Sequence, residues 1–117
     1  MRRNDKRFKV IAIIPAYNEE GKIGSVVKKT IPYVDRVLVI DDGSNDNTYN
    51  EADNSGAVVI KHMENRGAGA AIRSGIKYAV QNNFDICIPL SGDDQDNPKE
   101  IQKLVSHIGN GYDFVQG

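Results

Sequence analysis

The amino-acid sequence predicts an α/β fold: a Rossmann-like, open, mostly parallel sheet with helices on both faces. Three observations predict it. Short apolar runs without polar alternation recur along the 117 residues, as strands buried on both faces of a parallel sheet require. Stretches of helical periodicity lie between them, giving a βαβα alternation with right-handed crossovers. A polar loop follows each of the first four runs. In a parallel sheet the carboxyl ends share one edge, so these loops converge there, where such sheets bind ligands.

The elements follow in order. Residues 10–14 form the first run, closed by Pro15, and residues 37–40 the second, closed by Asp41, Asp42, Gly43 and Ser44. Residues 57–60 form the third and 86–90 the fourth; residues 112–115 make a fifth. Pro89 removes a backbone donor inside the fourth run, so that strand is expected to end or bulge there. Ile23, Val26, Val27 and Ile31 mark one helix. Ala71, Ile72, Gly75, Ile76, Ala79 and Val80 mark a second. Ile101, Leu104, Val105 and Ile108 mark a third, opened by Pro98 at a first helical position. Residues 48–55 read as a short helix or a turn.

Composition narrows the function. Apolar residues make up 39% and the net charge is -1, which fits one globular domain with no field to recruit nucleic acid. Arg2, Arg3, Lys6, Arg7 and Lys9 make residues 1–9 a basic tail, read as solvated and at most weakly attractive to anionic lipid headgroups. The single cysteine, Cys87, excludes an internal disulfide and reads as a packing residue. No stretch has the apolar length of a membrane span or a signal-peptide core, so the expectation is a soluble, cytoplasmic chain.

The converging loops carry Glu19, Glu20, Asp41, Asp42, Asp46, Asp93, Asp94 and Asp96. Clustered carboxylates need solvent, hydrogen-bond donors or a cation, and oxygen-only ligands suit Mg2+ or Mn2+. Asp46 reads as a turn acid. Gly67 to Ala71 opens the second long helix beside Arg66. That segment either lets an anion approach the helix N-terminus or packs the helix tightly on the sheet. It fails the dinucleotide fingerprint, and no Walker A sequence occurs. Tyr17 stacks on a base or packs over the sheet edge. His62 reads as a surface histidine, and His107 is given no role.

Three segments then carry a resemblance. Ile13-Ile-Pro-Ala-Tyr-Asn-Glu-Glu20, Val39-Ile-Asp-Asp-Gly-Ser-Asn-Asp-Asn-Thr48 and Asn65-Arg-Gly-Ala-Gly-Ala-Ala-Ile-Arg-Ser-Gly75 resemble glycosyltransferase family 2, most of all its dolichol- or polyprenol-phosphate sugar transferase branch. The resemblance implies a GT-A fold, with residues 10–117 as its nucleotide-sugar-binding part. It implies an inverting transfer of a hexose from a UDP- or GDP-sugar to an acceptor, in this branch a lipid phosphate at the membrane surface. It places Pro15, Ala16, Tyr17 and Glu19 along the nucleoside pocket, Asp41 and Asp42 at the base or ribose, and Arg66 and Gly67 near the nucleotide. The family's Asp-any-Asp metal motif falls on Ser91, Gly92 and Asp93, so Ser91 replaces the first acid. Asp93 is then the chief ligand for Mg2+ or Mn2+ and, with Asp94, the catalytic residue; Ser91 and Asp94 are weaker ligands. Peripheral attachment at the cytoplasmic membrane face follows from the lipid acceptor.

Relatives continue past residue 117 with acceptor-binding elements, so an exposed sheet edge favouring a homo-oligomer is expected. The alternative is a non-catalytic nucleotide-sugar-binding module on the same fold. A phosphoacceptor receiver domain would want its acidic pair after the first strand, and a nucleotidyltransferase would want a glycine-rich loop there; this chain has Pro15, Ala16, Tyr17 and Asn18.

Overall fold

The computed structural model describes residues 8–90. The elements run β1 (Val10–Ala16), α1 (Ile23–Thr30), a 3-10 turn (Ile31–Tyr33), β2 (Arg36–Asp41), α2 (Thr48–Asn54), β3 (Val58–Lys61), α3 (Ala68–Gln81) and β4 (Ile86–Pro89). All strand pairs are parallel and the order is β3-β2-β1-β4. The chain moves outward from β1 to β3, then crosses back to place β4 on the other side of β1. The switch point therefore lies between the carboxyl ends of β1 and β4, where open α/β sheets bind ligands. The expected fifth strand, the third helix and residues 91–96 lie outside the described residues.

The apolar runs are sorted by parity. Ile14 and Ala16 of β1 and Val37 and Val39 of β2 pack against α1 and α2, with Ile23, Val26, Val27 and Ala52. Ile11, Ile13, Leu38 and Ile40 face the other side, against Ala71 and Ala79 of α3. Both sheet faces are covered, which is why these strands lack polar alternation. Cys87 packs against the α3-side cluster, and burial pushes its thiol pKa up, so it stays a neutral packing group.

Two prolines are tolerated for one geometric reason. In a parallel strand, successive residues turn their backbone groups to alternate neighbours. Ala16 O accepts from Asp42 N at 2.8 Å on the β2 side, and Ile13 O accepts from Leu90 N at 2.9 Å on the β4 side. The missing N–H of Pro15 thus faces β4, beyond the last β1–β4 pair, Ile13 with Pro89. β1 therefore runs through Pro15 to Ala16 rather than closing before it. Pro89 turns its missing donor away from β1, and β4 ends on it as expected.

Other expectations shift in detail. Of residues 48–55, Thr48–Asn54 form α2. The α3 stripe is narrower than its periodicity suggests: Ala71, Gly75 and Ala79 are buried, whereas Ile76 and Val80 are exposed. Small residues at four-residue spacing let α3 lie close on β1, and that closeness leaves the larger neighbours outside.

Helix α1 has no side-chain cap of its own. Glu51 of α2 supplies one, its carboxylate accepting from Gly21 N at 2.7 Å and Gly24 N at 2.8 Å. Glu51→Ala is expected to lower stability by about 1 kcal/mol, the ordinary value of a lost helix cap. Urea unfolding checks this; an unchanged midpoint would mean that solvent replaces the carboxylate without loss.

Candidate functional site

At the carboxyl edge, three loops are stitched into one surface by side chains accepting from backbone donors. The loop after β1 donates from Asn18 N to Ser44 Oγ at 2.9 Å and from Glu19 N to Thr48 Oγ1 at 2.9 Å. In return, Asn45 N donates to Asn18 Oδ1 at 2.9 Å and Asn47 N to Glu20 Oε1 at 3.2 Å. Asn18 takes a left-handed conformation, φ 52°, which asparagine tolerates better than most residues. The loops after β1 and β2 thus hold each other by reciprocal contacts.

Asp46 behaves as the turn acid its sequence context suggests. Its carboxylate accepts from Thr48 N and the Thr48 hydroxyl at the start of α2, and from Glu20 N of the loop after β1. Burial opposes its ionisation, but these bonds outweigh it and lower its pKa.

Asp41 and Asp42 are both buried. Asp41 accepts from Ser44 N at 3.0 Å, closing the turn after β2, and from Lys61 Nζ at 3.4 Å. Asp42 accepts three donors from the loop after β3: His62 Nδ1 at 2.7 Å, Arg66 N at 3.0 Å and Gly67 N at 2.8 Å. Burial disfavours its charge, yet the hydrogen bonds from His62, Arg66 and Gly67, together with the His62 charge, prevail and hold its pKa below the ordinary carboxylate value.

His62 is not the surface residue its loop position suggested; it is only 8% exposed. Its Nδ1 meets Asp42 and its Nε2 meets Ser74 Oγ of α3 at 2.8 Å. With Asp42 ionised, Nδ1 donates. In the neutral ring Nε2 accepts from the Ser74 hydroxyl, and in the cation it donates. The signal that places His62 there is strand register. Asp41 pairs with Lys61, so the next residues out, Asp42 and His62, meet at the sheet edge.

Of the expected site residues, Tyr17 and Arg66 are exposed on this edge, and Pro15, Glu19 and Gly67 are half-buried. Ala16 is buried beneath them. Asp41 and Asp42 stand behind this surface with their carboxylates already engaged. The first turn of α3 follows Gly67, and its backbone N–H groups give that end a partial positive charge beside Arg66. Ser91, Asp93, Asp94 and Asp96 lie outside the described residues. Among the described residues, no group of three His, Cys, Asp or Glu is placed to hold a metal ion. A cavity of about 190 Å³ opens at the opposite edge, near Ile31, Val34, Arg36, Gly56 and Val58. The polar groups there serve the fold: Asp35 accepts from Val10 N and Arg36 donates to Tyr78 Oη.

A sequence model of glycosyl transferase family 2 matches residues 11–117. The chain belongs to glycosyl transferase family 2. It is 38% identical to an uncharacterized protein of Methanocaldococcus jannaschii, over 92% of this chain and 45% of that protein. It is 34% identical to the UDP-N-acetylglucosamine–dolichyl-phosphate N-acetylglucosaminyltransferase of Methanococcus voltae, over 86% of this chain and 47% of that protein. The chain thus spans just under half the length of these relatives. Among solved structures, it matches glucosyl-3-phosphoglycerate synthase from Mycobacterium tuberculosis in complex with Mn2+, UDP-glucose and phosphoglyceric acid. That match has a TM-score of 0.75 and 27% identity, over 90% of this chain and 40% of that one. The family 2 chain shares the GT-A architecture with this neighbour.

Proposed function

We propose that this chain is the donor-binding part of an inverting glycosyltransferase that moves a hexose from a UDP- or GDP-sugar to a polyprenyl or dolichyl phosphate. The observation that carries the proposal is the surface at the carboxyl edge beside the β1/β4 switch point. Along that edge stand Tyr17, from the loop after β1, and Arg66 and Gly67, which lead into α3. A solved relative that binds UDP-glucose with Mn2+ and a curated relative that acts on dolichyl phosphate support the substrate classes.

The residues divide the work by their chemistry. Tyr17 offers an exposed ring for a base. Arg66 and the first N–H groups of α3 face the diphosphate, where leaving-group charge develops. Asp41 and Asp42 act from behind, by fixing the turn after β2 and the loop after β3. Asp93, with Ser91 and Asp94 as weaker partners, would hold Mg2+ or Mn2+; their oxygen-only donor set suits those ions. When bound, such an ion neutralises charge on the departing diphosphate. A lipid phosphate is already ionised near pH 7, so the transfer needs no strong general base to deprotonate its acceptor.

Calorimetric titration with UDP, GDP, UDP-glucose, UDP-N-acetylglucosamine and GDP-mannose, with and without Mn2+, tests the donor site. The expected result is metal-dependent binding of one nucleotide class, weakened about thirtyfold by Asp93→Ala, or roughly 2 kcal/mol. A folded chain that binds none of them rules the donor site out.

A further inference from the structure

The contacts of His62 exceed what the family reading needs. The Asp42 carboxylate gathers both ends of the five-residue step from His62 to Gly67, taking His62 Nδ1 at one end and the Arg66 and Gly67 N–H groups at the other. The other imidazole nitrogen reaches Ser74, seven residues into the helix that the loop opens. Between these anchors, Met63, Glu64 and Asn65 are exposed, as is the Arg66 residue whose N–H Asp42 holds. Little burial orders the loop from outside, so its shape rests on the Asp42 cluster and on the backbone contact beneath it at Gly43.

The Asp–His–Ser connectivity resembles that of an acyl-transfer triad, but Ser74 lies inside α3, where backbone N–H groups are used by the helix. Its own helix therefore offers no free backbone N–H to an oxyanion beside that hydroxyl. What the chain of contacts does is mechanical: it ties β2, the loop and α3 together through one ring.

We infer that His62 is a positioning residue for nucleotide binding, holding the Arg66–Gly67 backbone and the N-terminus of α3 in place through Asp42. This inference rests on the donor-site reading for its function, but the positioning itself is measurable without nucleotide. Asparagine places an amide donor near the position of Nδ1 and can keep the Asp42 bond. Glutamine places its amide nearer Nε2 and can keep only the Ser74 contact.

The experiment compares wild type with His62→Ala, His62→Asn and His62→Gln, each shown to be folded by its thermal transition. Residue-resolved amide hydrogen exchange is read first, with no nucleotide present. Exchange at Arg66 and Gly67 is expected to accelerate about tenfold in His62→Ala and His62→Gln, and to return most of the way in His62→Asn, while the middle of α3 stays unchanged. Affinity for the nucleotide that wild type binds should follow the same order, about tenfold weaker in the Ala and Gln variants. A merely structural histidine would lower the thermal transition in all three variants without this split. Unchanged exchange at Arg66 and Gly67 in folded His62→Ala overturns the positioning inference. A wild-type chain that shows the exchange pattern but binds no nucleotide overturns its link to the donor site and keeps the mechanical role.

Discussion

Gly43→Ala is expected to cost about 3 kcal/mol of folding stability and to displace the loop after β3. Gly43 has φ +80°, and a Cβ placed there would lie 2.6 Å from both Asn65 N and the Glu64 carbonyl carbon. Both are backbone atoms, so no side chain can swing aside to make room. A left-handed alanine costs about 1–2 kcal/mol and overpacking a further 1–3 kcal/mol. Gly21 is the control: its φ is +88°, but a Cβ there would meet nothing within 4 Å. Gly21→Ala should therefore lose only the conformational part, about 1 kcal/mol. Urea unfolding of the two variants, read from midpoints at constant m-value, separates the terms. Equal losses in both would mean that the loop yields freely and that the close approach at Gly43 shapes nothing. Unequal losses, with nucleotide affinity falling in Gly43→Ala alone, would place the turn after β2 among the parts that form the site.

How much of this was legible in the sequence depends on what each feature needs to be seen. Strand runs need only neighbours in the chain, and all four within residues 8–90 are strands. The convergence of their loops follows from parallel pairing alone, so the site's edge could be named without any contact being known. Helix faces were less legible. The α3 stripe reads Ile76 and Val80 as core, yet the small side chains of Ala71, Gly75 and Ala79 bring the helix so near the sheet that its flanks remain in solvent. Register was not legible at all. Nothing in the linear sequence sets Asp42 beside His62; that follows from Asp41 pairing with Lys61 across two strands. Nor does the linear sequence show that the Asp41 and Asp42 carboxylates hold backbone and side-chain donors in the structure. Glu51 escaped notice for a related reason: it caps a helix other than its own.

Asp42 should therefore matter most as a structural anion, and its removal is the larger of the two effects. Asp42→Ala strips partners from His62, Arg66 N and Gly67 N at once, in a place only 3% exposed. Hydrogen bonds to a charged group contribute about 1.5–3 kcal/mol each, and losses within one cluster are not additive. A total of about 4 kcal/mol at pH 7 is expected. The pH dependence identifies the cause. The folded-state pKa of Asp42 is depressed, because the bonds it accepts outweigh its burial. A depressed carboxylate contributes stability that is fully present above its unfolded value, about 3.9, and is lost as pH falls through the lower folded value. Below about pH 4 the stability gap between wild type and Asp42→Asn should therefore narrow toward acid. Urea midpoints measured down the acid range decide the matter. A gap that stays flat to the acid limit would show that Asp42 stabilises by shape alone. A narrowing gap would show that its charge organises the loop, and the Gly67 N–H it holds would then be fixed before any nucleotide arrives.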